Sequence, residues 1–204
     1  MLVRRAIQSD SQILSELIFA SGGQSLAAMY DITPQINSKG YLRRALSQVG
    51  GQCGFANHWV GELDGAVVAC ISAWHTELGN AFHQASLQSV IQYYGTEHSM
   101  KVLSRSMVVQ DFIPKPQRHQ LCIGHLAVLP TYQRQGFATY LLNDMSEKAK
   151  ALGKSEITLD VPVSNHQAIQ FYQSLGFTLG QRSIESDAMK ALGFAQHLHL
   201  FKSI

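Results

Sequence analysis

The chain has 204 residues, of which 46% are hydrophobic and 15% are charged, and this composition is typical of an ordinary globular protein. A chain of this length can bury a substantial core within one domain. The formal net charge is +2, without a basic block, so the electrostatic footprint of a nucleic-acid-binding protein is missing. We therefore expect a single domain spanning residues 1–204 and no nucleic-acid partner.

The cysteines and the first residues bear on the cellular compartment. Cys53, Cys70 and Cys122 are odd in number and lie in or near apolar runs, which is typical of free thiols in a reducing compartment. The chain opens without a signal-type apolar core, because Arg4 and Arg5 come at once, and no apolar run reaches the roughly 18 residues of a membrane span. These features predict a soluble cytoplasmic protein with no membrane partner. The scattered histidines lack metal-ligand spacing, so we expect no metal.

The first third of the chain is predicted to contain three helices and three strands. In order, the elements are a strand at 2–7, a helix from Ser9 or Asp10 to the Gly22-Gly23 pair, a helical piece at 25–30, a helix at 38–49, and strands at 59–63 and 66–74. The buried stripe predicted for the third helix is Tyr41, Leu42, Ala45, Leu46 and Val49. Asp64-Gly65 joins the last two strands and is a strong hairpin signal.

Residues 76–120 carry two further predicted helices and an extended connector. One helix ends near Tyr94, and the second begins at Thr96, which is its predicted cap. The sequence leaves open whether this segment adds cover to the core, forms a dimer face or closes over a pocket as a lid.

The centre of the chain is the stretch CIGHLAVLPTYQRQGFATYLL, residues 122–142. The run 122–129 is apolar and rich in branched residues, so it is a predicted buried strand in which Gly124 marks a bulge. Apolar residues then recur at helical spacing from Ala138 to Leu152, before Gly153. The remaining predicted elements are a strand at 156–161, a helix at 165–175 and strands at 177–182 and 196–202, with no assignment for 183–193. The strand-helix-strand order implies two parallel neighbours.

The junction between the central strand and helix is a candidate anion site. A short glycine-containing turn leaves backbone N–H groups free at the positive end of the helix dipole, and phosphate is the usual guest there. Gly136 lets the backbone approach such a guest closely, and Arg134 can add a charged fork.

Two motifs of this chain resemble those of the GNAT superfamily of acyl-CoA-dependent N-acyltransferases. The first family signature is Gln or Arg, two residues, Gly, one residue, then Gly or Ala, and Gln133, Gly136 and Ala138 fill it in register. The stretch Leu126-Ala127-Val128 is similar to the hydrophobic-Ala-Val step that precedes it in the family. The second signature, an Asn opening a helix, a Tyr seven residues on and then Gly-Phe, is matched by Asn165, Tyr172 and Gly176-Phe177.

The resemblance covers roughly residues 121–182 and implies an α/β fold. The expected architecture has three layers, with a mixed, largely antiparallel central sheet of six to seven strands flanked by helices. Segment 76–120 departs from the family plan and would be a helical insert before the cofactor strand.

The resemblance also implies an N-acetyltransferase that uses acetyl-CoA as co-substrate. A primary amine of a small molecule or peptide would attack directly in a ternary complex. A homodimer would follow if segment 76–120 forms a dimer face. The alternative is a non-catalytic module that binds or senses acyl-CoA. The cofactor-binding residues implied are Leu126, Ala127 and Val128 for the pantetheine arm, Gln133, Arg134, Gln135, Gly136, Phe137 and Ala138 for the diphosphate, and Asn165 from the other side.

Three side chains are candidates for proton transfer. The resemblance makes Tyr172 the acid beside the CoA sulfur, although its spacing also fits a packed aromatic. The base is Asp160 or His125, each of which could instead be structural, or a water chain from the backbone. A backbone N–H near Val128 could bind the oxyanion. No cysteine is placed as a nucleophile, which argues against an acyl-enzyme.

Overall fold

In the computed structural model, which describes all 204 residues, seven strands form one sheet in the order β1-β2-β3-β4-β5-β7-β6. The strands are β1 (Leu2–Arg5), β2 (His58–Leu63), β3 (Ala66–Trp74), β4 (Gln120–Val128), β5 (Glu156–Pro162), β6 (Thr178–Arg182) and β7 (His197–Ser203). Only β4 and β5 pair in parallel, and all other neighbours are antiparallel. The predicted fold class, a mixed and largely antiparallel sheet flanked by helices, is confirmed.

Six α-helices flank the sheet, and glycines interrupt the two longest. The helices are α1 (Ser11–Tyr30), α2 (Ser38–Leu46), α3 (Gly79–Gln110), α4 (Phe137–Ala151), α5 (His166–Ser174) and α6 (Asp187–Leu192). Gly22 in α1 and Gly95 in α3 have non-helical backbone angles, and φ of Gly95 is +67°. Both helix breaks therefore fall where the sequence predicts them. None of the helices is both long enough and apolar enough to cross a lipid bilayer.

Several predicted boundaries are wrong. The third predicted helix ends at Leu46, so Val49 lies beyond the buried stripe and is 65% exposed. Leu152 is 54% exposed because it is the C-terminal cap of α4 rather than part of its buried face. The unassigned segment contains α6, whose six residues are too few to show a clear helical period.

The core lies on both faces of the sheet. On one face, α4 and α5 pack against the strands through residues that include Ile123, Leu141, Met145, Leu159, Tyr172 and Leu200. On the other face, α1, α2 and α3 pack through residues that include Leu17, Leu42, Val60, Cys70, Val90 and Ala127. Alternation along the strands decides which side chains face each layer.

The insert is part of this second layer. Val90, Tyr94 and Val102 of α3 are buried in the core that α1 and α2 form. The Tyr94 hydroxyl donates to the Tyr30 carbonyl at 2.7 Å, and Arg105 donates to the Asp31 carbonyl at 2.7 Å. The helix also contacts α6, so it reaches across the face of the sheet. The sequence left open whether the insert covers the core, and Val90, Tyr94 and Val102 do so.

Candidate active site

A gap opens in the sheet between β4 and β5. The two strands pair at only three positions, Gln120 with Glu156, Leu121 with Ile157 and Cys122 with Thr158. Both strands continue further, β4 to Val128 and β5 to Pro162, without pairing with each other. The two strands therefore splay apart directly after Cys122 and Thr158.

The backbone of β4 presents free groups to this gap. The Leu129 N–H donates to the Val68 carbonyl on β3, so alternation turns the N–H of Val128 away from β3. The same alternation turns the backbone of Leu126 towards the gap, whereas Ala127 pairs with Cys70 on β3. Of the three residues predicted to bind the pantetheine arm, only Leu126 and Val128 can thus offer backbone groups to the gap.

A β-bulge in β4 sets the direction of His125. Ile71 of β3 faces two residues, His125 and Leu126, and His125 has φ of +47°. In a regular strand His125 would face α4, as Ile123 does, and the extra residue turns it to the opposite face. The Cys70 thiol donates to the His125 carbonyl at 3.4 Å and fixes the bulge.

Gly124, at which the sequence predicts the bulge, is needed for close packing rather than for the bulge itself. A Cβ at Gly124 would lie 2.5 Å from the indole ring of Trp74, so only glycine fits beside this ring. The predicted bulge is present, but its positive φ falls one residue later, at His125.

His125 is a neutral imidazole with one free nitrogen. Its Nδ1 lies 3.3 Å from Ser72 Oγ and 3.5 Å from His58 Nε2. Burial lowers the pKa of His125 to about 4, so the ring is uncharged at pH 7. Its Nε2 makes no hydrogen bond within the protein. This nitrogen keeps some contact with solvent, because His98 Nδ1 is the one side-chain nitrogen or oxygen that is both fully buried and without a hydrogen-bond partner. His125 can therefore accept a proton at Nε2 when its own ring proton lies on Nδ1.

Asp160 lies across the gap and is paired with a histidine of β7. Asp160 and His199 are directly opposite in the β5–β7 ladder, and His199 Nδ1 lies 3.1 Å from Asp160 Oδ1. Leu159 and Val161 face α4, so Asp160 faces the same side of the sheet as His125. Both predicted bases are thus brought to one face of the sheet, on opposite sides of the gap.

His199 is a candidate site residue that the sequence did not identify. The alternating pattern predicts an exposed face carrying His197 and His199, but His197 is buried and its ring stacks on Phe194 at 4.9 Å. The prediction is wrong for His197 because the segment after α6 covers it. No local pattern reveals the contact between His199 and Asp160, since the register of β5 with β7 joins residues far apart in sequence.

Tyr172 has a packed ring and an accessible hydroxyl. The ring lies beside Phe171 and Phe177, with centroids 5.2 and 5.4 Å away, and the residue is 9% exposed. Burial raises the pKa of Tyr172 well above its usual value, so the phenol keeps its proton. The hydroxyl makes no hydrogen bond to the protein and is not sealed from solvent. The packed interpretation therefore holds for the ring, while the hydroxyl remains available as a donor.

The loop before α4 exposes a run of unpaired amides. None of the N–H groups from Arg134 to Thr139 donates to an acceptor within the protein. Gly136, with φ of +85°, caps the helix, and a Cβ built there would meet nothing within 4 Å. The loop is exposed to solvent from Gln133 to Gly136. These donors point from a helix N-terminus into open space, which is the geometry of an anion site.

The side chains of this loop divide into two kinds. Gln133 donates to the Val128 carbonyl at 3.2 Å, and Gln135 donates to the Thr131 carbonyl at 3.0 Å, so both hold the loop in shape. Arg134, with φ of +61°, is exposed and has no acidic partner. At the start of α5, the side-chain oxygen Oδ1 of Asn165 accepts from the Ala168 N–H at 3.1 Å, which leaves the side-chain amide nitrogen free.

The arrangement fits a long ligand with an anionic end and an extended arm. The unpaired amides suit a diphosphate, and the free edge of β4 suits an amide-containing chain that pairs as an added strand would. No group of three His, Cys, Asp or Glu side chains in the protein could hold a metal ion. The cysteines are buried, and burial raises the pKa of Cys53 to about 11 and of Cys70 to about 12, so neither thiol forms a nucleophilic thiolate at neutral pH.

Comparison with known proteins gives one family match and several distant structural matches. The model of the acetyltransferase (GNAT) family matches residues 26–177. The ribosomal protein bS18-alanine N-acetyltransferase of Escherichia coli (strain K12) is 42% identical over 53 residues, which are 26% of this chain and 36% of that protein. The alignment therefore spans only about a third of this curated relative.

Solved structures match over nearly the whole chain. An N-acetyltransferase from Staphylococcus aureus Mu50 has a TM-score of 0.68 at 16% identity, covering 99% of this chain and 100% of that one. The protein yncA from Salmonella typhimurium, solved with its cofactor acetyl-CoA, has a TM-score of 0.55 at 16% identity, covering 100% and 93%. At this identity the two matches concern the fold alone.

Proposed function

Because the chain belongs to the GNAT acetyltransferase family, we propose that it transfers an acetyl group from acetyl-CoA to a primary amine. The acceptor is a small molecule or a peptide, and its amine attacks the acetyl group directly while both substrates are bound. The observation that carries this proposal is the combination of the gap between β4 and β5 with the free amides at Arg134 to Thr139.

The diphosphate of acetyl-CoA would be held by the amides of Gln135, Gly136, Phe137 and Ala138. Arg134 adds a positive charge that is free of acidic partners within the protein. Gln133 and Gln135 contribute through the shape of the loop, since their side chains hold its carbonyls.

The pantetheine arm would lie in the gap along β4. Its amides would pair with the backbone of Leu126 and run past Ala127 to Val128, whose N–H is left for the acyl end of the cofactor. Asn165 offers its free amide nitrogen from α5, on the far side of the gap. Support for this pose comes from yncA, which binds acetyl-CoA on the same fold.

When bound, acetyl-CoA supplies an activated acetyl thioester. The protein must first remove a proton from the amine, because an alkylamine with a pKa near 10.4 is neutral in only about one molecule in 2,500 at pH 7. We assign this step to His125, whose Nε2 has no partner within the protein and which lies on the strand that borders the gap. The bulge that aims it there supports the assignment, since a positive φ at a non-glycine residue is costly and is often found at functional sites.

Asp160 is the alternative base. Its Oδ1 is already held by His199 Nδ1, so a proton taken on this side would pass to the pair rather than to a lone carboxylate. Asp160 and His125 lie on opposite sides of the gap, and substitution of each in turn separates their roles.

Two further groups complete the reaction. The N–H of Val128 faces the gap and would stabilise the negative charge that develops on the acyl oxygen. Tyr172 would donate its hydroxyl proton to the departing sulfur, because its raised pKa keeps that proton in place until it is needed. The buried thiols support direct attack rather than a covalent acyl-enzyme.

The proposal is tested by release of free CoA thiol across a panel of amines. The panel includes small alkylamines and a peptide with an N-terminal alanine, since the E. coli relative is named for a ribosomal-protein alanine. We expect thiol release with at least one amine, and a loss of about 10²-fold or more in His125→Gln but a smaller loss in Asp160→Asn.

Two outcomes of this assay would change the proposal. Binding of acetyl-CoA without thiol release from any amine would identify a non-catalytic module. A larger loss in Asp160→Asn than in His125→Gln would move the base to the other side of the gap.

A further inference from the structure

A buried hydrogen-bonded chain leads from the backbone of residue 54 to the predicted base. His58, on β2, is completely buried, and its Nδ1 lies 2.9 Å from the Gly54 carbonyl oxygen. A carbonyl oxygen can only accept a hydrogen bond, so Nδ1 of His58 carries the proton. Since burial and the neighbouring His125 lower the pKa of His58 to about 3, the ring is neutral and its Nε2 holds a lone pair.

This lone pair faces His125. The two rings are nearly parallel, at 4° between planes, and His58 Nε2 lies 3.5 Å from His125 Nδ1. A lone pair on His58 calls for a donor on His125, so the proton of the neutral His125 ring belongs on Nδ1. The remaining nitrogen, Nε2, then carries the lone pair that accepts a proton from the amine.

Ser72 is the third member of the group. Its Oγ lies 3.3 Å from His125 Nδ1, and a hydroxyl can either accept from a ring N–H or donate to a ring nitrogen. If Ser72 donated to Nδ1, the His125 proton would move to Nε2 and the base would be blocked. His58, with its orientation fixed by the Gly54 carbonyl, is the group that decides between these two states.

We propose that His58 is a positioning residue that holds the proton of His125 on Nδ1 and so presents Nε2 as the proton acceptor. This inference rests on the proposed function, because His125 matters as a base only if the protein transfers an acyl group. Nothing in the two family signatures points to His58, which lies outside the residues 121–182 that they cover. Its role emerges only from the pairing of β2 with β3 and from the bulge in β4.

The test measures the tautomer of His125 directly. Long-range proton–nitrogen NMR correlations on protein labelled with ¹⁵N-histidine identify which ring nitrogen is protonated, and His125→Gln assigns the signal. At pH 7 we expect His125 protonated on Nδ1 in the wild type, and on Nε2 for a substantial fraction in His58→Phe. This change should lower kcat by at least about tenfold while KM for acetyl-CoA stays constant.

Two variants complete the design. In His58→Gln the side-chain amide supplies both a donor and an acceptor, so the Nδ1 tautomer and part of kcat should return. In His83→Phe, at an exposed position on α3, tautomer and kcat should match the wild type.

Two results would overturn the proposal. One is a wild-type His125 protonated on Nε2, which needs no variant and stands even if His58→Phe does not fold. The other is a fall in kcat of His58→Phe with an unchanged tautomer. If no amine is acetylated at all, the proposed function fails, while the tautomer of His125 still reports on His58.

Discussion

Tyr172 shows how one side chain can serve both packing and chemistry. Its ring is held between Phe171 and Phe177, so the position of the hydroxyl is fixed by the core rather than by a hydrogen bond. A hydroxyl fixed in this way is free to donate to a ligand.

We therefore expect Tyr172→Phe to lower turnover by about 10²-fold, because the acid is lost and the ring remains. The thermal stability and the stabilisation by acetyl-CoA should stay close to those of the wild type. Turnover is measured by thiol release, and melting temperatures with and without acetyl-CoA serve as the control. Unchanged turnover in this variant would remove Tyr172 from the reaction.

At the residue scale, the sequence identified the candidates but not their partners. The two short motifs locate the central strand, the strand that follows it and the helix at 165–175. These elements carry His125, Asp160 and Tyr172, respectively. Their contacts depend on strand register, which brings His199 to Asp160 and His58 to His125 across large sequence separations. Local patterns carry no information on such register, so these partners could not be predicted.

The junction of β4 and α4 is the element on which cofactor binding depends. Gly136 adopts a backbone conformation that favours glycine, and it lies among the unpaired amides. Replacement by Glu adds backbone strain and a negative charge at the proposed diphosphate position.

We expect Gly136→Glu to abolish the stabilisation by acetyl-CoA. In the wild type, a concentration of about 100 times Kd should raise the melting temperature by roughly 5–10 °C. Gly153→Glu is a matched control, because Gly153 also has a positive φ with open space around it but lies beyond the other end of α4. An equal shift in both variants would show that the amides do not hold the cofactor.

Element existence was more predictable than element limits. Glycine pairs and caps located the breaks in α1 and α3, because a glycine there adopts angles that a helix excludes. The end of α2 was missed by a few residues, since Val49 continues the apolar pattern into solvent. For α4 the end before Gly153 is as predicted, but Leu152, its last apolar residue, is exposed. The short α6 escaped because its stability depends on tertiary packing rather than on local period.

At the scale of the whole molecule, buried neutral histidines link stability to pH. Burial lowers the pKa of His58 to about 3 and of His125 to about 4, below the usual value near 6.5. Between about pH 4 and 6.5 the unfolded chain therefore binds protons that the folded chain does not. The free energy of unfolding must fall as the pH falls through this range.

The unfolded chain takes up about one more proton than the folded chain at each of the two histidines. We therefore expect the free energy of unfolding to fall by up to about 1.4 kcal/mol per pH unit for each of them. Urea unfolding at pH 7, 6 and 5 measures the slope. His58→Gln should reduce it by about one proton, whereas His83→Gln, at an exposed position, should leave it unchanged. A slope that is the same in all three proteins would contradict the buried neutral state of His58.

The gap between β4 and β5 also has a consequence for how the chain folds. Strands β1 to β4 form one half of the sheet and strands β5 to β7 the other, and only three residue pairs join the two halves. The two halves also share the core on one face of the sheet, where α4 packs on β3, β4 and β5. Because so few backbone pairs join the halves, we expect each to open as its own cooperative unit, and native-state hydrogen exchange should resolve two groups of amides with separate opening free energies.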